Sequence, residues 1–381
     1  MSPYRLKDLV FYFLRLGSLV FGGPVALIGA MHRDLIENKK WLTEEDYKEG
    51  LALAQLAPGP LAAQLAIYIG FVHYRFLGAT LTGIAFVLPS FVMVVFLGWA
   101  YKLYGGLPWM QAVFYGVGAS VIGIIAHSAI NLTKKTIGKD KLLWLITIFM
   151  AVVTVVTESE NLWFFLAAGF VPLVIKFPPK NWFGSKKMIA LAPFWIGNPA
   201  ATDETLLKIA AFFAKAGTFV FGSGLAIVPF LYGGVVKEYQ WLDAGQFLDA
   251  VAVAMITPGP ILITVAFIGF LVAGFTGASV AALATFLPCY LFTVIPAPYF
   301  KKHGKRPKIA AFVSGVTAAA TGAIAGAVIV LGRRSLADIP TLAICLATFV
   351  ILRTTKKIPE PILVLIAALV GFFVYPMVSH P

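Results

Sequence analysis

The sequence predicts an all-α polytopic membrane protein made of two homologous halves, and three observations carry that prediction. Of its 381 residues 60% are hydrophobic and only 12% are charged, and the mean hydropathy is +0.88. No soluble globular domain combines so little charge with so much apolar surface. The apolar runs are also continuous, whereas a transmembrane β-barrel alternates apolar and polar residues. The third observation is a duplication. Arg15, Phe21-Gly22-Gly23-Pro24, Trp41-Leu42 and Pro58-Gly59-Pro60 recur as Lys215, Phe221-Gly222-Ser223-Gly224, Trp241-Leu242 and Pro258-Gly259-Pro260, each 200 positions on.

Taken in order, the first apolar segment covers about residues 9–31 and is interrupted at Gly22-Gly23-Pro24. A charged stretch then leads to Trp41, a residue type that anchors at the membrane interface. Thr43 is expected to cap a helix with Asp46 three residues on, as is Asp243 with Gln246 in the second copy. That helix stops before Pro58, and fourteen residues rise only about 21 Å, short of the ~30 Å hydrocarbon core. The segment after Pro60 is equally short and ends near His73. These are half-helices, either folded back as a re-entrant hairpin or joined as one broken span. Longer segments follow at roughly 77–101, with Pro89 in the middle, and roughly 109–132. A basic loop, Lys134 to Lys141, precedes an apolar hairpin of about 142–176 that turns at Glu158 and Glu160.

The second half repeats this plan. Gly17, Leu88-Pro89 and Gly116-Val117 reappear as Gly217, Leu287-Pro288 and Gly315-Val316, the offset drifting from 200 to 199. One residue lost over so long a register marks a true internal repeat. The expected domains are 1–183 for the first repeat, 184–205 for a linker and 206–381 for the second repeat. Gly322 and Gly326, four apart in a stretch rich in small residues, read as close helix packing.

Loop charge gives the orientation. In the first half the strongly basic loop is 133–141, while in the second it is Lys301 to Lys308, whose counterpart 101–108 is nearly uncharged. The acidic turn Glu158–Glu160 corresponds to a basic one, Arg353 to Lys357. If basic loops are cytoplasmic, the copies face opposite ways as inverted repeats. Arg333-Arg334 runs against that rule. Inversion requires an odd number of crossings per half, which one re-entrant segment per copy would supply. The loops 133–141, 176–187, 301–308 and 353–357 are therefore expected in the cytoplasm and 158–160 outside.

The formal charge of +13, from 30 Lys and Arg against 17 Asp and Glu, is accounted for by the positive-inside excess. The basic residues are scattered over short loops, so nucleic acid is not an expected partner; the lipid bilayer is. Cys289 and Cys345 lie inside apolar runs and read as small core residues, not as a disulfide or a metal site. No cleavable signal is expected, because no small-residue cleavage site stands apart from the repeat. No enzyme motif is present: there is no Gly-x-Ser-x-Gly, no His-Glu-x-x-His and no phosphate loop. His127 is matched by Gly326 in the other repeat and reads as packing. No cofactor or metal is expected.

Four repeated features carry the chemistry. A Gly/Pro break inside an apolar helix frees backbone groups that hydrocarbon cannot satisfy, and a half-helix starting after it points its N–H groups inward. Gly22, Gly23, Pro24, Pro58, Gly59 and Pro60, with Gly222, Ser223, Gly224, Pro258, Gly259 and Pro260, are the candidate binding elements for an anion. Arg15 and Lys215 each sit inside an apolar run six residues before the Phe-Gly break. A charge at that depth costs at least ~2.5–3.5 kcal/mol unless paired or hydrated, so its recurrence points to use, the alternative being snorkelling to the interface. Glu49 and Asp249 lie nine residues before each Pro-Gly-Pro, near an interface, as solvated acids or as counter-ions coupling protons. Gln55, Gln64, Ser223, Thr257 and Thr264 stand close to the breaks, serving either to donate to an oxyanion or to cap the broken helices.

The string from Arg15 through Phe21-Gly22-Gly23-Pro24, then Trp41-Leu42, Gln55-Leu-Ala-Pro-Gly-Pro60, Gly70 and Leu88-Pro89, resembles the chromate transporter (ChrA-type) family. The second copy is similar, with Gly222-Ser223-Gly224 where the first domain of the family has Gly-Gly-Pro. The chain thus looks like a fused two-domain member. The resemblance implies export of chromate, a tetrahedral dianion shaped like sulfate, from the cell across its plasma (inner) membrane, with chromate resistance as the result. An uptake carrier or channel for sulfate or another small anion is the alternative, and a membrane-embedded enzyme a more distant one. A homodimer is compatible with this reading. Arg15 and Lys215 are expected to reach one shared midplane cavity and hold the dianion together with the half-helix N-termini.

Overall fold

The computed structural model describes residues 4–20, 23–104, 107–157, 162–178, 204–218, 220, 224–299, 307–336, 338–355 and 358–379. Every regular element among them is helical. In chain order these are α1 (Leu6–Leu19), α2 (Gly23–His32), α3 (Glu44–Leu56), α4 (Leu61–Tyr104), α5 (Pro108–Thr136), α6 (Lys141–Thr157) and α7 (Leu162–Lys176) in the first repeat. The second repeat holds α8 (Glu204–Gly217), α9 (Val228–Tyr232), α10 (Ala244–Ile256), α11 (Thr264–Val294), α12 (Pro307–Ser335), α13 (Ile339–Thr354) and α14 (Glu360–Ser379). Among the described residues, Leu61–Tyr104, Pro108–Lys134, Ile261–Tyr299, Ala310–Arg333 and Glu360–Met377 are long and apolar enough to cross a membrane. The protein is a multi-pass membrane protein.

The half-helices fold back on themselves. The predicted caps form: Thr43 Oγ1 accepts from Asp46 N at 3.1 Å and Asp243 Oδ1 from Gln246 N at 2.8 Å, starting α3 and α10. From Gly59 the chain returns along the first limb of α4, residues 61–74, so that Gly50 of α3 lies against the Tyr68 ring. Any side chain at Gly50 would overlap that ring, which is why a glycine stands there. At Arg75, φ +51°, α4 breaks, and its second limb, 76–104, runs back past the first with Gly70 against Gly78 and Thr82 Oγ1 donating to Ala66 O at 3.0 Å. α11 repeats this with a break at Ala273 and Gly274 and Gly269 against Gly277. The Pro-Gly-Pro segments are therefore tips of re-entrant hairpins.

The first break makes a hairpin as well. Tyr4, just before α1, stacks on Trp41 with ring centroids 4.7 Å apart, and its hydroxyl lies 2.6 Å from His73 Nδ1. Both hairpins of the first repeat thus open on one face, and their tips lie inside. Among the described residues, two hairpins and four further helices give each repeat an even number of crossings, not the odd number expected.

The repeats are nonetheless inverted. Tyr101, near the far end of α4, reaches Asp249 and Phe267, so the second repeat opens its hairpins on the opposite face. The long α12 packs parallel to α6, with Gly322 on the Thr147 carbonyl and Gly326 on Thr154. Since α6 runs back from α5, α5 and α12 run in opposite directions. Each repeat's last two helices clasp the long helix of the other: α6 and α7 hold α12, and α13 and α14 hold α5 through Gly123 against Cys345 and Gly116 against Ala367. Small residues allow this approach where lipid tails supply no hydrophobic drive. The loop at Ile137–Asp140 and the end of α7 share the first repeat's face, tied by Lys176 Nζ to Asp140 Oδ2 at 2.7 Å. That hydrogen bond holds the Asp140 carboxyl below its usual range. The last turn of α13, with Arg353, lies near His127 toward the end of α5, on the same face. The expected loops at 158–160, 179–187 and 301–306 fall outside the described residues, as does nearly all of the 184–205 linker.

Candidate functional site

The hairpin tips of the two repeats meet. Gly59 N donates to Val220 O at 2.5 Å, and Gly259 N donates to Val20 O at 3.4 Å. Val20 and Val220 end the first limb of the first hairpin in each repeat, so the Pro-Gly-Pro tip of one repeat is locked to the Gly-rich break of the other, reciprocally. Both glycines have positive φ, +143° at Gly59 and +97° at Gly259, a conformation costly to other residues. There is no room for a side chain either. A Cβ on Gly59 would overlap Cys289 Sγ and sit 2.7 Å from Gln64 Nε2, and one on Gly259 would overlap Ser90 Oγ. Ser90 and Cys289 are themselves repeat-equivalent, each following the matched Leu-Pro. Ser90 Oγ donates to Pro258 O at 2.6 Å, tying α4 of one repeat to the tip of the other.

Gln64 is the most informative polar group here. It is fully buried, and its Nε2 donates to Pro58 O at 2.7 Å, bracing the tip. Its Oε1 is buried with no hydrogen-bond partner. A buried unpaired acceptor carries a desolvation cost of ~1–3 kcal/mol. Thr257 Oγ1 donates to Ala254 O at 3.0 Å and Thr264 Oγ1 to Ile261 O at 2.7 Å, so both threonines cap their own broken helices. Gln55 is exposed. Pro58 is half-buried, while Pro60, Pro258, Pro260 and Gly224 are buried at the meeting point. The backbone of Gly23 and Pro24 opens α2 beside it. Gly22, Gly222 and Ser223 lie outside the described residues.

Arg15 and Lys215 do not share one cavity. Arg15 is exposed on the face of α1 opposite Leu9, Phe13 and Leu16, which pack inward. Lys215 is exposed on α8 and lines a groove of about 420 Å³ between α8 and the returning limb of its hairpin, to which Arg15 does not contribute. Each cation stands about one turn and a half before its tip, on hairpins that open to opposite faces. The sequence reading gave them one shared cavity because it carried the chain across at the first break, where the chain instead folds back. Glu49 is half-buried and within hydrogen-bonding reach of Tyr68. Asp249 is half-buried and accepts from Tyr101 Oη at 2.7 Å, bridging the repeats, so of its two readings the solvated acid does not describe it.

A larger cleft, about 460 Å³, runs between α4 and α11 and is lined by Ile84, Leu88, Phe91, Leu283 and Leu287 among others. It offers a dianion no charge and scarcely any donors, so it is no route for one. Ser90, Cys289, Tyr101 and the Val20 and Val220 carbonyls are the site residues that sequence reasoning passed over. The matched Leu-Pro-Ser and Leu-Pro-Cys strings were the available signal for two of them.

The comparisons with known proteins agree across the whole chain. The sequence profile described as "Chromate transporter" matches residues 7–173 and 207–372. The chain is 66% identical over 382 residues to the "Chromate transport protein" of Cupriavidus metallidurans, an alignment covering 99% of this chain and 95% of that one. It is 63% identical over 374 residues to the "Probable chromate transport protein" of Synechococcus elongatus, covering 97% and 95%. A "Chromate transport protein" of Pseudomonas aeruginosa is 29% identical, covering 98% and 94%. No solved structure matches the chain.

Proposed function

Because the chain belongs to the chromate transporter family, we propose that it exports chromate across the plasma (inner) membrane and so confers chromate resistance. The observation that carries this reading is the reciprocal lock of Gly59 on Val220 and Gly259 on Val20. In this conformation the tips form a closed barrier inside the membrane, their best backbone donors spent on each other. When one pair separates, its N–H groups and the first-turn N–H groups of α4 or α11 become free to bind an oxyanion. Arg15 holds the ion on the face where the first repeat opens, and Lys215 on the other. Two cations used in turn, with helix N-termini between them, offset the desolvation of a dianion that no single contact could balance.

The inside-negative potential favours outward movement of a dianion, so no coupling ion is obligatory. Asp249 is the residue placed to couple a proton if one is used, since its protonation would weaken the bridge to Tyr101. Sulfate, of the same shape and charge, is the expected competitor. Assembly as a homodimer belongs to the same proposal and is read from the mass of the solubilised protein by light scattering. The experiment is radiolabelled chromate flux in proteoliposomes with an imposed pH gradient and competing sulfate. Chromate efflux inhibited by sulfate supports the reading; sealed vesicles that pass sulfate inward but never chromate would replace it with an uptake carrier.

A further inference from the structure

The two tips are braced in different ways, and the difference leaves one polar atom over. At the second tip Pro258 O accepts from Ser90 Oγ at 2.6 Å, and the buried hydroxyls of Thr257 and Thr264 each donate to the carbonyl three residues back. At the first tip the place of Ser90 is held by Cys289 and that of Thr264 by Gln64. Gln64 Nε2 does the bracing there, donating to Pro58 O at 2.7 Å. Gln64 Oε1 is buried, and no described residue donates to it, the neighbouring Cys289 thiol included. Turning the amide over would set Oε1 against Pro58 O, acceptor against acceptor, so the unpaired atom is the oxygen.

This acceptor stands beside a donor of the barrier. A Cβ on Gly59 would lie 2.7 Å from both Cδ and Nε2 of Gln64, so the amide rests against the tip glycine. Gly59 N is held by Val220 O, and its release frees a donor next to Oε1. One N–H and one bare carbonyl oxygen, side by side and shielded from water, are complementary to an ion that has both an anionic oxygen and a hydroxyl. An oxyanion carrying no proton sets one of its own oxygens against Oε1, and two acceptors with no proton between them repel. Burial favours the protonated species as well, since the cost of desolvating an ion rises with the square of its charge.

We infer that the first tip takes its cargo as a protonated tetrahedral oxyanion, with Gln64 Oε1 accepting the O–H and Gly59 N donating to an anionic oxygen. The inference rests on the transport reading for the opening of the tip. Arg15 and Lys215 meet the ion at the mouths, where water reaches, and the tip between them selects the form that carries a proton. Shape cannot separate chromate from sulfate, but basicity can. Hydrogen chromate loses its last proton near neutral pH, whereas sulfate and selenate hold one only in strong acid. A site that pairs with a substrate hydroxyl rejects the analogue lacking it, because its own polar group is then left unpaired. Gln64 thereby determines specificity. Hydrogen phosphate presents the same O–H, so the test has an arm for each source.

Binding of chromate, phosphate, sulfate and selenate to the purified full chain is measured by calorimetry above and below neutral pH, for wild type, Gln64→Thr and Gln64→Met. Gln64→Thr copies the second repeat, and Gln64→Met keeps the length of the side chain without the acceptor. Selenate is the closest control, being near chromate in size. Wild type is expected to bind chromate about tenfold more tightly than selenate, the ratio rising as pH falls because more of the chromate then carries its proton. Both variants are expected to bring that ratio near one and to level its pH dependence. Arg15 of α1, Glu49 of α3, Tyr68 of α4, Lys215 of α8, Asp249 of α10 and Cys289 of α11 are the titratable and charged groups nearest the tips along the elements around them. They are the same in wild type and variants, so their titration creates no difference between the two. A ratio near one in wild type, or one that the variants leave unchanged, overturns the inference. Gln64-dependent binding of phosphate but not of chromate, with no chromate flux from wild-type vesicles, would overturn the chromate reading and leave the site standing.

Discussion

The contact between Gly59 and Cys289 joins the two repeats at the barrier, and it can be tested as a coupled pair. In Gly59→Ala two separate penalties add. A side chain at φ +143° costs ~1–3 kcal/mol. Its Cβ would also overlap Cys289 Sγ, and overpacking of that kind costs another ~1–3 kcal/mol. Cys289→Ala removes the sulfur and with it the nearer of two overlaps, leaving the backbone cost and the 2.7 Å approach to the Gln64 amide. The double variant should therefore recover about 1–3 kcal/mol relative to the sum of the singles, a coupling large enough to measure. The assay is unfolding of purified protein in mixed micelles, run beside chromate flux in proteoliposomes. Flux through Gly59→Ala is expected to change at least tenfold, since ~1.4 kcal/mol on the balance between closed and open tips is enough for that, and to return partly toward wild type in the double variant. Effects that add within ~0.5 kcal/mol would refute the packing of this tip against α11. Wild-type flux in Gly59→Ala would reduce the tip to a structural turn.

Two further outcomes follow. Arg15→Ala and Lys215→Ala should each abolish chromate flux while the protein still inserts, with Arg15→Lys keeping part of it; unchanged chromate affinity in both alanine variants would mean that these cations only snorkel. In a background lacking Cys289 and Cys345, a cysteine at Lys139 should react with an impermeant reagent only from the cytoplasmic side and one at Lys208 only from outside, and equal labelling of the two would sink the inverted arrangement.

Much of this was legible in the sequence because the signals are local. Pro58-Gly59-Pro60 at the end of a fourteen-residue run cannot span a bilayer, and the caps at Thr43 and Asp243 need only the residues three positions on. Inversion was readable from the charge of 133–141 against 301–308, since the positive-inside bias acts on each loop by itself. The hairpin formed by the first break was not readable. Residues 9–31 are long enough for a full span, and it takes contacts such as the stacking of Tyr4 on Trp41, 37 positions apart, to show that the chain returns. Arg15 and Lys215 were consequently given one shared cavity. The partners of the tips belong to the other repeat, some 160 to 240 positions away, and no pattern along the chain connects Gly59 to Val220.

The reciprocal lock also explains why a protein of this kind need not leak. Separating Gly59 from Val220 in an empty site exposes an N–H and a C=O to surroundings with scarcely any water, and each group left unpaired there costs ~1–3 kcal/mol. An arriving oxyanion changes that balance, because a hydrogen bond from the freed N–H to an ionised acceptor is worth ~1.5–3 kcal/mol and offsets the neutral bond it replaces. Cargo and barrier thus compete for the same donors. The inverted duplication supplies two such locks, and on the proposed reading an anion that opens one leaves the other closed, since Gly259 and Val20 belong to the opposite pair. A conformation open to both faces would have to break both locks with donors for only one ion, and that energetic difference keeps access alternating.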